Sequence, residues 1–448
     1  MRRKPLAPQQ LLALHIVGLI TAGTLLLLLP ISAAAPGRPL SFVNALFTST
    51  SAVCVTGLIV VDPAKELSRF GQVVVMLLIQ AGGLGYMTIS TLVAVALGRR
   101  VTVQERLTLQ EALNIHTREG LLRFTGTVFK MTLALELVGA LILAIRWAAE
   151  LGPAQAAFSG LFHAVSAFNN AGFSLFSDNL VGYRGDLTVN LVITTLIICG
   201  GLGFLVLSEL GRIRQRMALS VHTKFVLVIT AVLLVGGTIG FFALECRNPR
   251  SLGSLGAGEA LLASYFQSVT PRTAGFNTLD IGALSSPTLF LLIALMFIGA
   301  SPGGTGGGVK TTTFGVTMIA LWATVRGKGD PVLFRHRLAP DLVARAFFIT
   351  LTAFLVLNLI SWLVLLVEGR DLMATVFETT SAFGTVGLSV GQKGSLLSLS
   401  GHFSNSGKLL IALMMYLGRV GPLTLAVALA KGRPPARLRY SEAKVLVG

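Results

Sequence analysis

Four short stretches combine hydroxyl side chains, small residues and a terminal glycine in one spacing. They are FTSTSAVCVTGL (Phe47–Leu58), FHAVSAFNNAGF (Phe162–Phe173), FQSVTPRTAGF (Phe266–Phe276) and FETTSAFGTVGL (Phe377–Leu388). Each opens with Phe, has Ser or Thr four residues on, and closes with Gly and an apolar residue. The glycines Gly57, Gly172, Gly275 and Gly387 are separated by 115, 103 and 112 residues, and the third copy is one residue shorter between Thr270 and Gly275. No ring of carboxylates runs through them, so the chemistry on offer is that of the backbone. Carbonyls of the residues ahead of each glycine (Val55 and Thr56, Asn170 and Ala171, Thr273 and Ala274, Thr385 and Val386) can turn inward and replace the hydration shell of a cation. Glycine suits such a place because it accepts unusual φ/ψ and lets backbones crowd together. Carbonyls without carboxylates favour a monovalent ion over calcium.

The elements that position these segments lie in a membrane. The chain has 448 residues, 53% hydrophobic and only 12% charged, with a mean hydropathy of +0.78. A soluble protein carries about 25% charged residues. Apolar runs such as Leu11–Leu29, Val73–Leu97, Val189–Leu210 and Phe347–Val367 are long enough to cross a hydrocarbon core of about 30 Å. The basic clusters Arg2/Arg3/Lys4, Arg99–Arg123 with Lys130, Arg212–Lys224, Arg326–Arg345 and Lys431–Lys444 fall on one side of these spans. By the positive-inside rule that side is the cytoplasm, which places both termini there, in a multi-pass protein of the cell (inner) membrane. The net charge of +17 suits anionic lipid headgroups; without aromatic interleaving it does not point to nucleic acid. The start, MRRKPLAPQQ with an apolar run and ISAAAPG, imitates a secretory signal, but the run is needed as the first span of a repeat. Three scattered cysteines (Cys54, Cys199, Cys246) give no metal spacing and no disulfide framework.

Each glycine-ended segment follows an apolar run of about 10–14 residues, too short to span and readable as a re-entrant pore helix. A second span follows with its own glycine mark: AGGLGY, CGGLGF, SPGGTGGG and LGRVGP, aligned at Gly83, Gly201, Gly304 and Gly418. The expected fold is all-α, with about eight transmembrane helices in four span–pore helix–span repeats around a pseudo-fourfold axis. Repeat 1 takes residues 1–98 and a cytosolic linker 99–123. Repeat 2 takes 124–216, repeat 3 takes 217–328 with an intramembrane loop at 301–313, repeat 4 takes 329–432, and 433–448 form a cytosolic tail. Non-helical backbone at membrane depth is tolerated only where it is buried in protein or lines a water-filled path, so four such loops suggest one axial pathway. Each pore helix would aim the negative end of its dipole at that path.

The third mark, SPGGTGGGVKTTT (Ser301–Thr313), has grown into a flexible loop placed beneath these segments, with Lys310 free to point toward the cytoplasmic interface. It is not a Walker phosphate loop, because Val309 stands where glycine should precede the lysine and no β-strand comes before it. Arg419 lies mid-span at the level of the glycine marks, where an arginine usually marks a pathway or a partner. It reads as an electrostatic barrier braced on the 303–308 carbonyls, or as a carbonyl-paired structural residue. Glu136 reads as a structural partner of a neighbouring polar group, His163 as a packing residue, and Arg272 as a brace for loop carbonyls. The four Phe residues read as packing knobs. Val101–Leu122 fits a surface helix facing either a partner or the membrane.

The motifs SAVCVTGL, AFNNAGFSLF, TPRTAGFNTLD, SAFGTVGLSVG, SPGGTGGGVKTTT and YLGRVGPLT resemble the superfamily of Trk, Ktr and plant HKT cation-translocating subunits over essentially the whole chain. With eight spans and no extra N-terminal pair, it looks like the Ktr membrane subunit. The resemblance implies a homodimer on a ring of cytosolic nucleotide-binding regulatory subunits, which alone would bind the nucleotide. It implies K⁺ uptake, with Na⁺ stimulation. Glycine at all four filter positions goes with K⁺ selectivity in that superfamily. The resemblance also makes Gly303, Gly304, Thr305, Gly306, Gly307, Gly308 and Lys310, with Arg419, an intramembrane gate. The alternatives are a secondary cation transporter or a less selective Na⁺/K⁺ pathway. A nucleotide-hydrolysing pump is disfavoured by the failed Walker pattern.

Overall fold

The computed structural model describes residues 8–35, 37–96, 121–212, 218–327, 329–392 and 395–421; the expected helix at Val101–Leu122 and the tail therefore fall largely or wholly outside the described residues. The fold is almost entirely helical. Among the described residues, four helices are long and apolar enough to cross a membrane unbroken: α1 (Pro8–Leu28), α4 (Leu121–Leu151), α8 (Val221–Glu245) and α12 (Pro340–Glu368). Only about 28–33% of their apolar windows is buried. Their outer faces show Leu137, Leu141 and Ile145 on α4, and Val228, Val232, Val235 and Ile239 on α8. Contiguous apolar surface on that scale is unfavourable in water and suits a lipid environment.

Behind each long helix comes a short one: α2 (Phe42–Val53), α5 (Pro153–Phe168), α9 (Ala257–Val269) and α13 (Leu372–Gly384). Their starts are marked locally. The Ser41 hydroxyl and the Asp371 carboxylate accept from the Asn44 and Ala374 amides, and Pro153 opens α5, as N-terminal positions prefer. At 12 to 16 residues they reach only part-way through a bilayer. Phe47, Phe162, Phe266 and Phe377 are all essentially fully buried, so these recurring aromatics anchor the short helices in the core.

In the first three sets the second span is interrupted rather than straight. α3 (Arg69–Ala96) breaks at Gly85 (φ 73°). α6 (Leu187–Leu202) and α7 (Phe204–Gly211) meet at 106° across Gly203 (φ 96°). α10 (Ser286–Phe297) and α11 (Thr311–Val325) are separated by the 298–310 loop, and α14 (Asn405–Val420) ends on Gly421 (φ 84°). A short hairpin, β1 (Val332–Leu333) with β2 (His336–Arg337), precedes α12.

The aligned glycines and the bends do not coincide. The backbone departs from the helix at Gly85, Gly203 and Gly421, two or three residues past Gly83, Gly201 and Gly418. The earlier glycines serve a different need. A methyl group at Gly82, Gly200 or Gly418 would run into the carbonyl of Val53, Phe168 or Phe383 at the end of the adjoining short helix. One glycine permits close approach, and the next permits positive φ.

Gly200→Ala is therefore expected to lower stability in detergent by about 1–3 kcal/mol through overpacking. Gly236, with nothing within 4 Å of an added methyl, should tolerate Ala with no loss. Thermal melts of the two variants check the pair.

Candidate ion pathway

Each short helix runs into an extended segment of one construction. The residue two before the glycine is left-handed: Val55 (φ 57°), Asn170 (60°), Thr273 (69°) and Thr385 (49°). The glycine is left-handed again, at 90°, 69°, 76° and 94°. Three of the four non-glycine residues are β-branched, for which this region is an outlier. Such conformations persist where the surroundings over-determine them. An ordinary strand sends successive groups to opposite sides; alternating handedness turns the carbonyls to one side.

The surroundings that impose this are the short helices' own C-terminal turns. The Thr56, Ala171 and Val386 amides donate to the carbonyls of Ser51, Ser166 and Ser381 at 2.7–2.8 Å, and Ala274 donates to Thr270 at 2.9 Å. The recurring hydroxyl then ties down the exit. Ser51 donates to the Leu58 carbonyl (2.8 Å), Ser166 to Phe173 (2.8 Å) and Thr270 to Phe276 (2.5 Å). Ser51 and Ser381 also accept the amides of Gly57 and Gly387, at 3.1 and 3.0 Å. The Ser or Thr four residues after each Phe is thus the fastener of its segment.

The four segments close a ring. A methyl built on Gly57 would lie 3.2 Å from the Cα of Gly172. One on Gly172 would lie 2.9 Å from Gly275, one on Gly275 3.2 Å from Gly387, and one on Gly387 3.0 Å from Gly57. Each would also strike the carbonyl oxygen just ahead of the next glycine: Ala171, Ala274, Val386 and Thr56 in turn. The side chains of Asn170 and Thr273 join the neighbouring second and third segments at 3.2 Å. Val55, Thr56, Asn170, Ala171, Thr273, Ala274, Thr385, Val386, Gly57, Gly172 and Gly275 are buried, and Gly387 is half-buried.

One face of the ring opens into a cavity of about 280 Å³ lined by all four glycines, Asn179 and Asn277, with Asp62, Asp178 and Asp280 around it. These acids stand five or six residues beyond their glycines. Sequence reasoning looked for carboxylates inside the segments and missed them at the mouth. The repeated Gly-to-Asp spacing was the available signal.

The other face is crossed by the 301–310 loop. A methyl at Gly306 would collide with Thr273, and the Gly307 amide donates to the Thr385 hydroxyl (3.0 Å). The Thr305 hydroxyl donates to the Phe168 carbonyl (3.2 Å), and its amide to Gly200 (3.1 Å). Gly303 accepts from the Phe204 amide (3.0 Å), and Gly304 lies against Gly200 and Gly201. Gly308 (φ 67°) sits against Gly299 and Gly384. Arg419 donates to the carbonyls of Thr305 and Gly82. Through these contacts the loop touches the second, third and fourth segments directly and the first span set through Arg419. Lys310 does not point outward: its ammonium turns back on the loop and donates to Gly306 (2.7 Å), because an intramembrane ammonium needs a carbonyl partner more than reach.

The remaining sequence-picked residues separate. Arg272 is buried and donates at 3.5 Å to Thr230 on α8, and among the described residues it makes no bond to the loop carbonyls. Glu136 accepts from Gln80 (3.2 Å) and Asn169 (3.0 Å), and Asn169 also donates to Gln80 (2.9 Å). That triad joins α3, α4 and the end of α5. His163 is fully buried beside Trp147 and Phe176, with ring centroids 5.0 and 4.9 Å away.

Known proteins bear on this geometry. Residues 16–439 match the TrkH family, described as a cation transport protein. The Ktr system potassium uptake protein B of Bacillus subtilis is 43% identical over 441 residues, covering 98% of this chain and 97% of that protein. Its namesake from Vibrio alginolyticus is 38% identical, covering 98% and 94%. The potassium/sodium uptake protein NtpJ of Enterococcus hirae is 36% identical, covering 100% and 98%. The crystal structure of the potassium transporter TrkH from Vibrio parahaemolyticus superimposes with a TM-score of 0.75 at 20% identity, covering 96% and 86% of the two chains, and shares the fold. These are transport proteins rather than enzymes, and the chain belongs to the TrkH family of cation transport proteins.

Proposed function

We propose that this chain is the ion-translocating subunit of a K⁺ uptake system, passing K⁺ through the ring of four extended segments. The observation that carries the reading is the ring itself. Four carbonyl-bearing segments meet at glycine, at membrane depth, with a cavity on one face. Carbonyl dipoles there can replace water around a dehydrated cation, and the acids at the cavity raise the local cation concentration. The chain then comprises four span–pore helix–span repeats, residues 1–98, 124–216, 217–328 and 329–432, joined by the linker 99–123. Both termini are cytoplasmic in this reading, and the tail is 433–448. The names of the Bacillus and Vibrio relatives support K⁺ as the transported ion. The name of the Enterococcus relative favours a second reading, a less selective K⁺/Na⁺ pathway.

The 303–308 loop with Lys310 and Arg419 is the gate in this reading, since it lies across the face of the ring opposite the cavity. A homodimer on a cytosolic ring of nucleotide-binding regulatory subunits completes the assembly. The regulator would move the loop; the nucleotide belongs to it, and Na⁺ is a second ion acting on uptake.

Flux into liposomes with K⁺, Na⁺ or Ca²⁺, with and without nucleotide, tests the reading as a whole. K⁺ flux without hydrolysis by the chain alone is expected, and hydrolysis by the purified chain contradicts it. Gly57→Ser puts a side chain against Ala171 and should lower the K⁺-over-Na⁺ flux ratio at least tenfold; an unchanged ratio counts against the filter. Deleting 304–308 should give conduction without activation, whereas a folded but silent protein refutes the gate. Arg419→Ala should raise K⁺ flux several-fold as the loop loses its brace; lowered expression alone assigns Arg419 a structural role.

A further inference from the structure

Within the four short helices, the residue after each buried Phe is polar: Thr48, His163, Gln267 and Glu378. All four are buried to within a few per cent, yet they split into two kinds. In the second and fourth segments this residue reaches the serine two positions beyond the ring glycine. His163 Nε2 lies 2.9 Å from Ser174 Oγ, and Ser389 donates to Glu378 at 2.6 Å. His163 Nδ1 faces the Ser159 carbonyl at 2.7 Å, which can only accept, so Nδ1 carries the proton and Nε2 accepts from Ser174. In the first and third segments the corresponding atoms of Thr48 and Gln267 have no partner among the described residues. The residues two beyond those glycines are Ile59 and Asn277.

The first and third segments lean on the second and fourth. Ser398, in the loop that Glu378 and Ser389 hold, exchanges two bonds with Ile59: the Ile59 amide donates to Ser398 Oγ at 2.9 Å, and the Ser398 amide to the Ile59 carbonyl at 3.1 Å. Glu378 holds that loop a second time, accepting from the Ser400 amide at 2.8 Å. On the other side, the Leu180 amide of the second segment's loop donates to the Asn277 carbonyl at 3.1 Å. In ring order the first and third segments each sit between the second and fourth. Two opposed latches therefore set the outer rim of all four.

We propose that His163 and Glu378, through Ser174 and Ser389, are positioning residues for ion selectivity, fixing the ring's outer rim in their own segments and through them in the other two. The proposal rests on reading the ring as the K⁺ filter. Selectivity by carbonyl coordination needs the oxygens held at a set separation, which a rim free to relax does not supply. Neither residue contacts the ion path; both act through the serines.

The test is K⁺ and Na⁺ flux by the full chain in liposomes, for Ser389→Ala, Ser174→Ala and Glu378→Gln. A drop of at least tenfold in the K⁺-over-Na⁺ ratio with total cation flux retained is expected, and Ser389→Thr, which keeps the hydroxyl, should restore the ratio. Glu245→Gln is the control. Glu245 also gathers hydroxyls, from Ser285 (2.7 Å) and Thr288 (2.6 Å), but holds no ring segment, so it should lose thermal stability with the ratio unmoved. An unchanged ratio in the serine variants overturns the latch when Gly57→Ser lowers it in the same assay. When Gly57→Ser also leaves it unmoved, it is the filter reading that fails. Should Glu378→Gln not assemble, the two serine variants, each lacking one hydroxyl, carry the result.

Discussion

The whole arrangement depends on one constraint: a peptide backbone at membrane depth must have its polar groups satisfied by the protein itself. Four extended segments break that rule locally, and every neighbouring feature answers it. The hydroxyls of Ser51, Ser166 and Thr270 return to the exit carbonyls, while Ser381 takes the Gly387 amide. The helix-end carbonyls take the first amides. What stays unspent is the set of carbonyls facing the ring. Carbonyl oxygens gathered at one place suit a dehydrated cation as their ligand.

The same constraint explains why the second spans of the first three sets are interrupted while the first spans are not. The long helices α1, α4, α8 and α12 face lipid and keep unbroken hydrogen bonding. The second spans approach the ends of the short helices through Gly82, Gly200 and Gly418, then leave helical geometry on Gly85, Gly203 and Gly421. In the third set the break widens into the 301–310 loop. Its backbone groups are satisfied partly within the loop, as Gly304 to Ser301 and Lys310 to Gly306, and partly by leaning on the other sets: Gly200 and Gly201, Thr385 and the Arg419 guanidinium. A loop held by contacts to several elements responds when any of them moves, which is the physical basis for reading it as a gate.

Much of this was legible in the sequence because the repeat is written in residue types. Phe, Ser or Thr, and Gly recur at fixed offsets, and each has a separate job in the structure. The ring carbonyls and the loop could be named in advance for that reason. The glycine marks show the limit: in AGGLGY two neighbouring roles, close approach and positive φ, call for the same residue, and spacing alone does not separate them. Lys310 and Arg272 were misjudged because a long side chain's direction depends on which carbonyl or hydroxyl lies in reach. The acids at the mouth and the latches of His163 and Glu378 join residues on different elements, and only the fold brings them together.

In the reading proposed above, the ring coordinates K⁺ by its backbone carbonyls. Crystals of the protein grown in Rb⁺, a K⁺ congener with a usable anomalous signal, test it most directly. Anomalous peaks are expected on the ring axis, within coordination distance of the carbonyls of Val55, Thr56 and their counterparts, and weakened by competing K⁺. Peaks confined to the acidic cavity, with none on the axis between the four glycines, would contradict it.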